Sequence, residues 1–149
     1  MRVVIMGCGR TGARLATMLS EAGHEVTIID WQDSAFSRLP EDFAGATFVG
    51  NAVDQDVLRS AGLESADAFV AATSGDNRNI TASQIAQHAF HVPRVISRIK
   101  DPSRAEIFSK LGILVDCRTS EGAKVILSIA RGEHEVDASI GLHQYFAQK

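Results

Sequence analysis

A short apolar run, residues 2–6, delivers the chain into Gly7-Cys8-Gly9-Arg10-Thr11-Gly12, and Leu15, Met18 and Leu19 then recur at helical spacing through residues 11–21. No other feature constrains the fold as much as this strand, glycine-rich turn and helix. The spacing is G-x-G-x-x-G in the context that makes the pattern informative. Gly7 permits the tight turn, Gly9 lets a pyrophosphate approach the backbone, and Gly12 lets the helix pack closely on the strand. The helix N-terminus contributes amides that have no intrahelical acceptor, so the turn is suited to a phosphate. The alternative is a glycine-rich connection that binds nothing.

The alternation continues along the chain. Residues 25–29, 47–49, 67–71, 94–99 and 113–116 read as short β-branched or apolar strands. Between them lie candidate helices at 56–61, 77–89 and 103–111, and a last helix runs from about 120 to 130. Asp54 is placed to cap the first of these, and Asp101 followed by Pro102 supplies an N-cap and a proline in the first turn of the third. Strands that alternate with helices of this length predict a parallel sheet covered on both faces, because parallel neighbours need crossover connections. The expected fold is therefore α/β, a Rossmann-type doubly wound parallel sheet in one domain. Gly132-Glu133-His134-Glu135 interrupts the pattern, and residues 137–149 keep only a loose stripe of Ile140, Leu142, Tyr145 and Phe146.

Composition narrows the functions. With 149 residues and 45% apolar content, one core can be filled, and a formal charge of −3 predicts no polyanionic partner such as nucleic acid. Cys8 and Cys117 are the two cysteines and lack metal-ligand spacing, and the chain opens directly on a strand. That predicts a cytoplasmic protein. No apolar run approaches the roughly 20 residues of a membrane span, so membrane association is expected only through a partner.

Asp30 ends the second strand, where a carboxylate accepts hydrogen bonds from ribose hydroxyls and repels a 2′-phosphate. The expected ligand is NAD(H), or a plain adenosine nucleotide such as ATP or ADP, rather than NADP(H). Trp31 follows at once, either beside the adenine or packed on the next element. Arg10 points outward from the first helical turn, either toward a terminal phosphate or a neighbouring subunit, or into solvent. Arg98 ends an apolar strand at the crevice edge, to meet the ligand or to pair with an acid such as Asp76. Cys8 is either a redox switch whose thiol is activated by the helix terminus or a small apolar filler.

These motifs together resemble the nucleotide-binding lobe of the regulator-of-potassium-conductance family (RCK, also KTN or TrkA-N). The resemblance spans nearly the whole chain. It runs from Val4-Ile5-Met6-Gly7 through Gly23-His24-Glu25 to Asp30, Gly50-Asn51-Ala52-Val53-Asp54, Val57-Leu58-Arg59 and Ala61-Gly62. Ala66-Asp67-Ala68, Ala72-Thr73, Asp76, Asn79-Ile80, Ser97-Arg98-Ile99-Lys100-Asp101-Pro102, Phe108 and Leu111-Gly112 follow in order. Three departures stand out: Asn51 where the family often has Asp, Thr119 where a proline usually precedes the last helix, and a chain that stops near the end of the lobe with neither a second ligand-binding domain nor a pore.

The resemblance implies a non-enzymatic sensor that binds NAD(H), ATP or ADP and changes potassium flux through rearrangement of a dimer or larger ring. It implies a nucleotide site of Gly7, Gly9, Arg10, Thr11, Gly12, Asp30, Trp31, Asn51, Ala52, Thr73, Asp76 and Arg98. In that site Arg10 reaches a terminal phosphate across the dimer and Arg98 approaches the phosphates. Glu121 resembles a carboxylate that in some members helps bind a divalent cation between subunits. The implied partner is a membrane potassium channel or transporter subunit, which would hold the protein at the inner face of the membrane.

Residues 1–119 are thus expected to form the nucleotide-binding lobe and residues 120–149 a C-terminal helical dimerisation segment. Ala123, Val125, Ile126, Leu127, Ile129 and Ala130 make the last helix apolar around much of its circumference, more than one sheet face requires. Closure of the tail over this helix by Tyr145 and Phe146 is the alternative. The rival function is the cofactor domain of an NAD-dependent oxidoreductase. Its weakness is the small number of residues after 130 from which to build a substrate domain, with His24, His88, His91, His134 and His143 all read as surface positions.

Overall fold

The computed structural model describes residues 1–132; the stripe of Ile140, Leu142, Tyr145 and Phe146, with His134 and His143, lies outside the described residues. Six strands form one sheet: β1 (Arg2–Met6), β2 (Glu25–Asp30), β3 (Ala46–Val49), β4 (Ala68–Ala71), β5 (Val95–Arg98) and β6 (Leu114–Asp116). Four helices lie between strands, α1 (Arg10–Glu21), α2 (Gln55–Ser60), α3 (Asp76–His88) and α4 (Pro102–Lys110), and α5 (Arg118–Ala130) follows β6. All pairings are parallel, in the order β3-β2-β1-β4-β5-β6. This is the doubly wound order expected of a Rossmann sheet, and the order reverses beside β1, where the crevice for a ligand opens.

Side chains alternate across the strands, so a sheet with helices on both faces needs apolar residues at successive positions. β1 does this. Val3 and Ile5 join Ala13 and Ala16 of α1, Val26 and Ile28 in one buried cluster. Val4 and Met6 join Ile29, Phe69, Leu58 of α2, and Ala82 and Ala86 of α3 in another. A third, small cluster of Ile80, Ile99 and Ala105 lies under α4.

The caps form as the sequence predicts: the Asp54 carboxylate accepts from the Asp56 amide at 2.9 Å, and Asp101 accepts from the Arg104 amide at 3.0 Å ahead of Pro102. Two 3₁₀ turns, Asp33–Arg38 and Leu63–Ser65, have no counterpart in the sequence reading. They are too short to show a period. α5 begins at Arg118, two residues before the expected start, and none of its residues is buried.

Candidate nucleotide site

At the carboxyl edge of the sheet, an open cleft of about 230 Å³ is walled by Met6, Gly7, Ile29, Asp30, Trp31, Gly50, Asn51, Ala52, Thr73 and Arg78. Of the glycine-rich turn only Gly7 lines it, and each of the three glycines has a separate reason. Gly7 has φ +99°, in the left-handed region, and a Cβ at that position would stand 2.9 Å from Thr73 Cγ2. A Cβ on Gly12 would fall 1.9 Å from the Gly7 carbonyl oxygen, so this glycine lets α1 approach β1. Gly9 is different: nothing lies within 4 Å of the corresponding position. Neither sterics nor a positive φ requires glycine there, and the open space lies above the first turn of α1.

That turn is suited to an anion. Ala13 makes the first intrahelical bond, to the Gly9 carbonyl at 2.9 Å, which leaves the amides of Arg10, Thr11 and Gly12 ahead of the ladder. α1 has no side-chain cap and no acidic residue in its first turn. A phosphate would therefore meet free donors and the positive end of the helix dipole without a competing carboxylate.

Asp30 links the two halves of the cleft. Its Oδ2 accepts from the Cys8 amide at 2.7 Å and its Oδ1 from the Gln32 amide at 3.0 Å. The same carboxylate thus holds the glycine turn against the end of β2, and each oxygen keeps a lone pair for a ribose hydroxyl. The Gly50 amide bonds to the Asp30 carbonyl at 2.9 Å, which brings Asn51 and Ala52 to the same edge. Trp31 stands on the cleft wall and is 66% exposed.

Opposite Asp30, Asn79 organises the β4–α3 loop. It is fully buried, and its Oδ1 accepts from the Thr73 amide at 3.0 Å and the Thr73 hydroxyl at 2.6 Å. Its Nδ2 donates to the Thr73 carbonyl at 3.1 Å and to the Arg98 carbonyl at 2.7 Å. One side chain therefore ties the loop that bears Thr73 to the end of β5. Sequence reasoning placed Asn79 in a motif but gave it no role, because its partners lie 6 and 19 positions away.

Other residues expected in the site stand elsewhere. Asp76 Oδ2 accepts from the amides of Lys100 at 3.1 Å and Asp101 at 3.0 Å, bracing the β5–α4 turn outside the cleft walls. Burial alone would raise its pKa; those two amides, with the charges of Lys100 and Arg104, outweigh burial and hold it below the usual carboxylate range. Arg98 is half-buried and absent from the walls, and among the described residues it makes no ion pair with Asp76. Arg10 and Thr11 are exposed at the start of α1, beside the cleft rather than on its walls. Among the described residues the cation on the wall is Arg78, which sequence reasoning missed; its place in the first turn of α3, the helix that follows β4, was the available signal.

Cys8 is fully buried, and of its two readings the activated thiol is the one its surroundings oppose. Burial, and after it the Asp30 carboxylate, push the thiol pKa up against the smaller lowering by Arg38. The reading as an apolar filler fits. Glu121 Oε1 accepts from Lys124 at 3.3 Å, and among the described residues no group of three or more His, Cys, Asp or Glu side chains gathers to hold a metal ion.

The TrkA-N domain family model matches residues 3–116. The chain is 50% identical over 113 residues to a Trk system potassium uptake protein TrkA of Streptomyces coelicolor, covering 76% of this chain and 51% of that protein. It is 39% identical over 111 residues to a TrkA homolog of Pyrococcus abyssi, covering 74% and 49%. The chain thus spans about half the length of the curated relatives it matches. Among solved structures, the AMP-bound Kef CTD of Shewanella denitrificans superimposes with a TM-score of 0.72 at 27% identity, over 88% of this chain and 79% of that one. The TrkA-N domain of the Escherichia coli inner membrane protein ybaL, at 18% identity over 86% and 95%, shares the fold with a TM-score of 0.76.

Proposed function

This chain belongs to the TrkA-N domain family, and from that premise we propose that it is a nucleotide-sensing regulatory domain of a potassium channel or uptake system. The observation that carries the nucleotide reading is the open position at Gly9, at the uncapped start of α1, beside a cleft whose wall bears Gly7 and Asp30. A relative 27% identical holds AMP, which supports an adenine nucleotide as the ligand class. The regulatory role rests on the 50% identical relative named as a potassium uptake protein. No helix of the described residues is long and apolar enough to cross a membrane, and the proposal puts the membrane part of the transport system outside these residues.

A bound nucleotide would touch Asp30 at the end of β2 and Thr73 at the end of β4, bridging the glycine turn and the loop that Asn79 ties to β5. Occupancy then changes how firmly the cleft edge is held, and a dimer joined through α5 passes that change to its partner. Among the described residues the ionisable cleft walls are Asp30 and Arg78, and His24, His88 and His91 lie elsewhere. That set favours sensing over hydride transfer, which needs an acid or base beside the nicotinamide.

Mass spectrometry of the nucleotide retained by the purified protein tests the ligand class. An adenine nucleotide without a 2′-phosphate is the expected result; preferential retention of NADP(H) would overturn it. A screen following NADH absorbance with alcohols, aldehydes and 2-oxo acids tests the role. Sustained turnover would return the oxidoreductase reading.

A further inference from the structure

Arg78 is the one cationic side chain among the described residues that line the cleft. It is exposed, and among the described residues its guanidinium makes no hydrogen bond or ion pair, unlike Arg59, Arg104 and Arg118, which all hold partners. It lies folded over the loop before α3: a Cβ on Gly75 would stand 3.1 Å from Arg78 Nε. The position relative to the rest of the cleft is what matters. Gly7 abuts Thr73, so the glycine turn adjoins the β4–α3 loop, and Arg78 projects from the first turn of α3 just past it. A ligand anchored by its ribose at Asp30 and by its first phosphate at the turn therefore runs on toward Thr73 and Arg78.

We propose that Arg78 sets ligand specificity by meeting a terminal phosphate beyond the first, so that the cleft selects ADP or ATP over AMP and over dinucleotides. This rests on the nucleotide-binding reading above. An AMP phosphate is satisfied by the α1 amides and leaves Arg78 without an anion. A β-phosphate supplies that anion as a charge-assisted, fork-shaped pair. A dinucleotide also carries a second phosphate, but that phosphate is esterified to the next ribose, so it holds one negative charge where the free terminus of ADP holds about two, and it leaves the guanidinium fork fewer free oxygens to pair with. Selectivity here is a difference between ligands, so one cation is enough to generate it.

Titration calorimetry of the full chain with AMP, ADP and NADH tests this. The unsubstituted protein should bind ADP about tenfold or more tighter than AMP or NADH. Arg78→Ala should weaken ADP by about 10–100-fold and leave AMP within about twofold, the expected range for one charged hydrogen-bonding group. Arg78→Lys should fall between, because a point charge replaces the fork. Raising the salt concentration on the unsubstituted protein should shrink the ratio of ADP to AMP affinity, since Arg78 is exposed and screened, and this arm needs no variant. Equal weakening of AMP and ADP in Arg78→Ala, or NADH binding tighter than ADP to the unsubstituted protein, overturns the proposal while leaving the nucleotide site in place. Failure to bind any of the three overturns the nucleotide reading itself, and this proposal with it.

Discussion

The two ends of this molecule are built on opposite principles. In the β1–α1–β2 corner the glycine turn is held from within the chain: Asp30 holds Cys8, Gly7 donates to the Ile29 carbonyl at 2.7 Å, and Gly12 leaves room for the Gly7 carbonyl. At the β6–α5 end the pattern reverses. Ile126, Leu127 and Ile129 are 68%, 50% and 61% exposed, and Ile107, Leu111 and Leu114 nearby are exposed as well. A soluble chain rarely presents that much clustered apolar surface without a contact for it. The first end is specified from inside and the second by something that covers it, for which we propose a second copy of the chain.

The largest test of this contrast is Gly12→Ala. Its Cβ would meet a backbone oxygen at 1.9 Å, and neither α1 nor β1 can yield without losing core contacts, so urea unfolding should show a loss of at least about 3 kcal/mol. Gly9→Ala is the companion: with open space around it, stability should change by no more than about 0.5 kcal/mol, while nucleotide binding in calorimetry is lost. A Gly9→Ala protein that binds as well as the original would break the site assignment.

Asp30→Ala comes next. It should weaken nucleotide binding by about 1.5–3 kcal/mol through the lost ribose contacts. The structure adds a second consequence, since the Cys8 amide loses its acceptor and melting temperature should fall too. Tighter binding of NADPH than of every unphosphorylated competitor would sink the ribose role.

At the other end, Ile126→Lys combined with Ile129→Lys should keep the circular dichroism spectrum and convert a dimer to a monomer in light scattering. The unsubstituted chain at micromolar concentration is expected to be at least a dimer. If it is a well-folded monomer that added nucleotide does not change, the apolar face is satisfied within one chain and the contrast fails.

The smallest effect is on pH dependence. The Asp76 carboxyl is held below its usual range in the fold, so its stabilisation is present above the unfolded value of about 3.9 and fades as pH falls through the lower folded value. Asp76→Asn should therefore be less stable than the original at neutral pH, and the gap should narrow on acidification. A gap that widens in acid would contradict the assigned hydrogen bonds.

Local order was legible where the chemistry is local. The strand–helix alternation, both aspartate caps and the three glycine roles follow from residue type and spacing, because periods and turn sterics act over a few positions. The glycine-rich turn and Asp30 were readable as a pair for the same reason: each sits at the end of a strand, where the sheet edge faces a ligand. The sequence by itself determined a doubly wound parallel sheet with a glycine-rich first turn at its carboxyl edge. Only the tertiary structure decided which cation lines the cleft, since Arg98 ends β5 and Arg78 lies in the first turn of α3, and packing puts only Arg78 on the wall. Packing alone also made Asn79 the tie between two loops, moved Asp76 out of the cleft and raised the Cys8 thiol. Each of those outcomes depends on contacts between segments 19 to 25 residues apart, and no local period records which side chain meets which backbone group once the strands lie side by side.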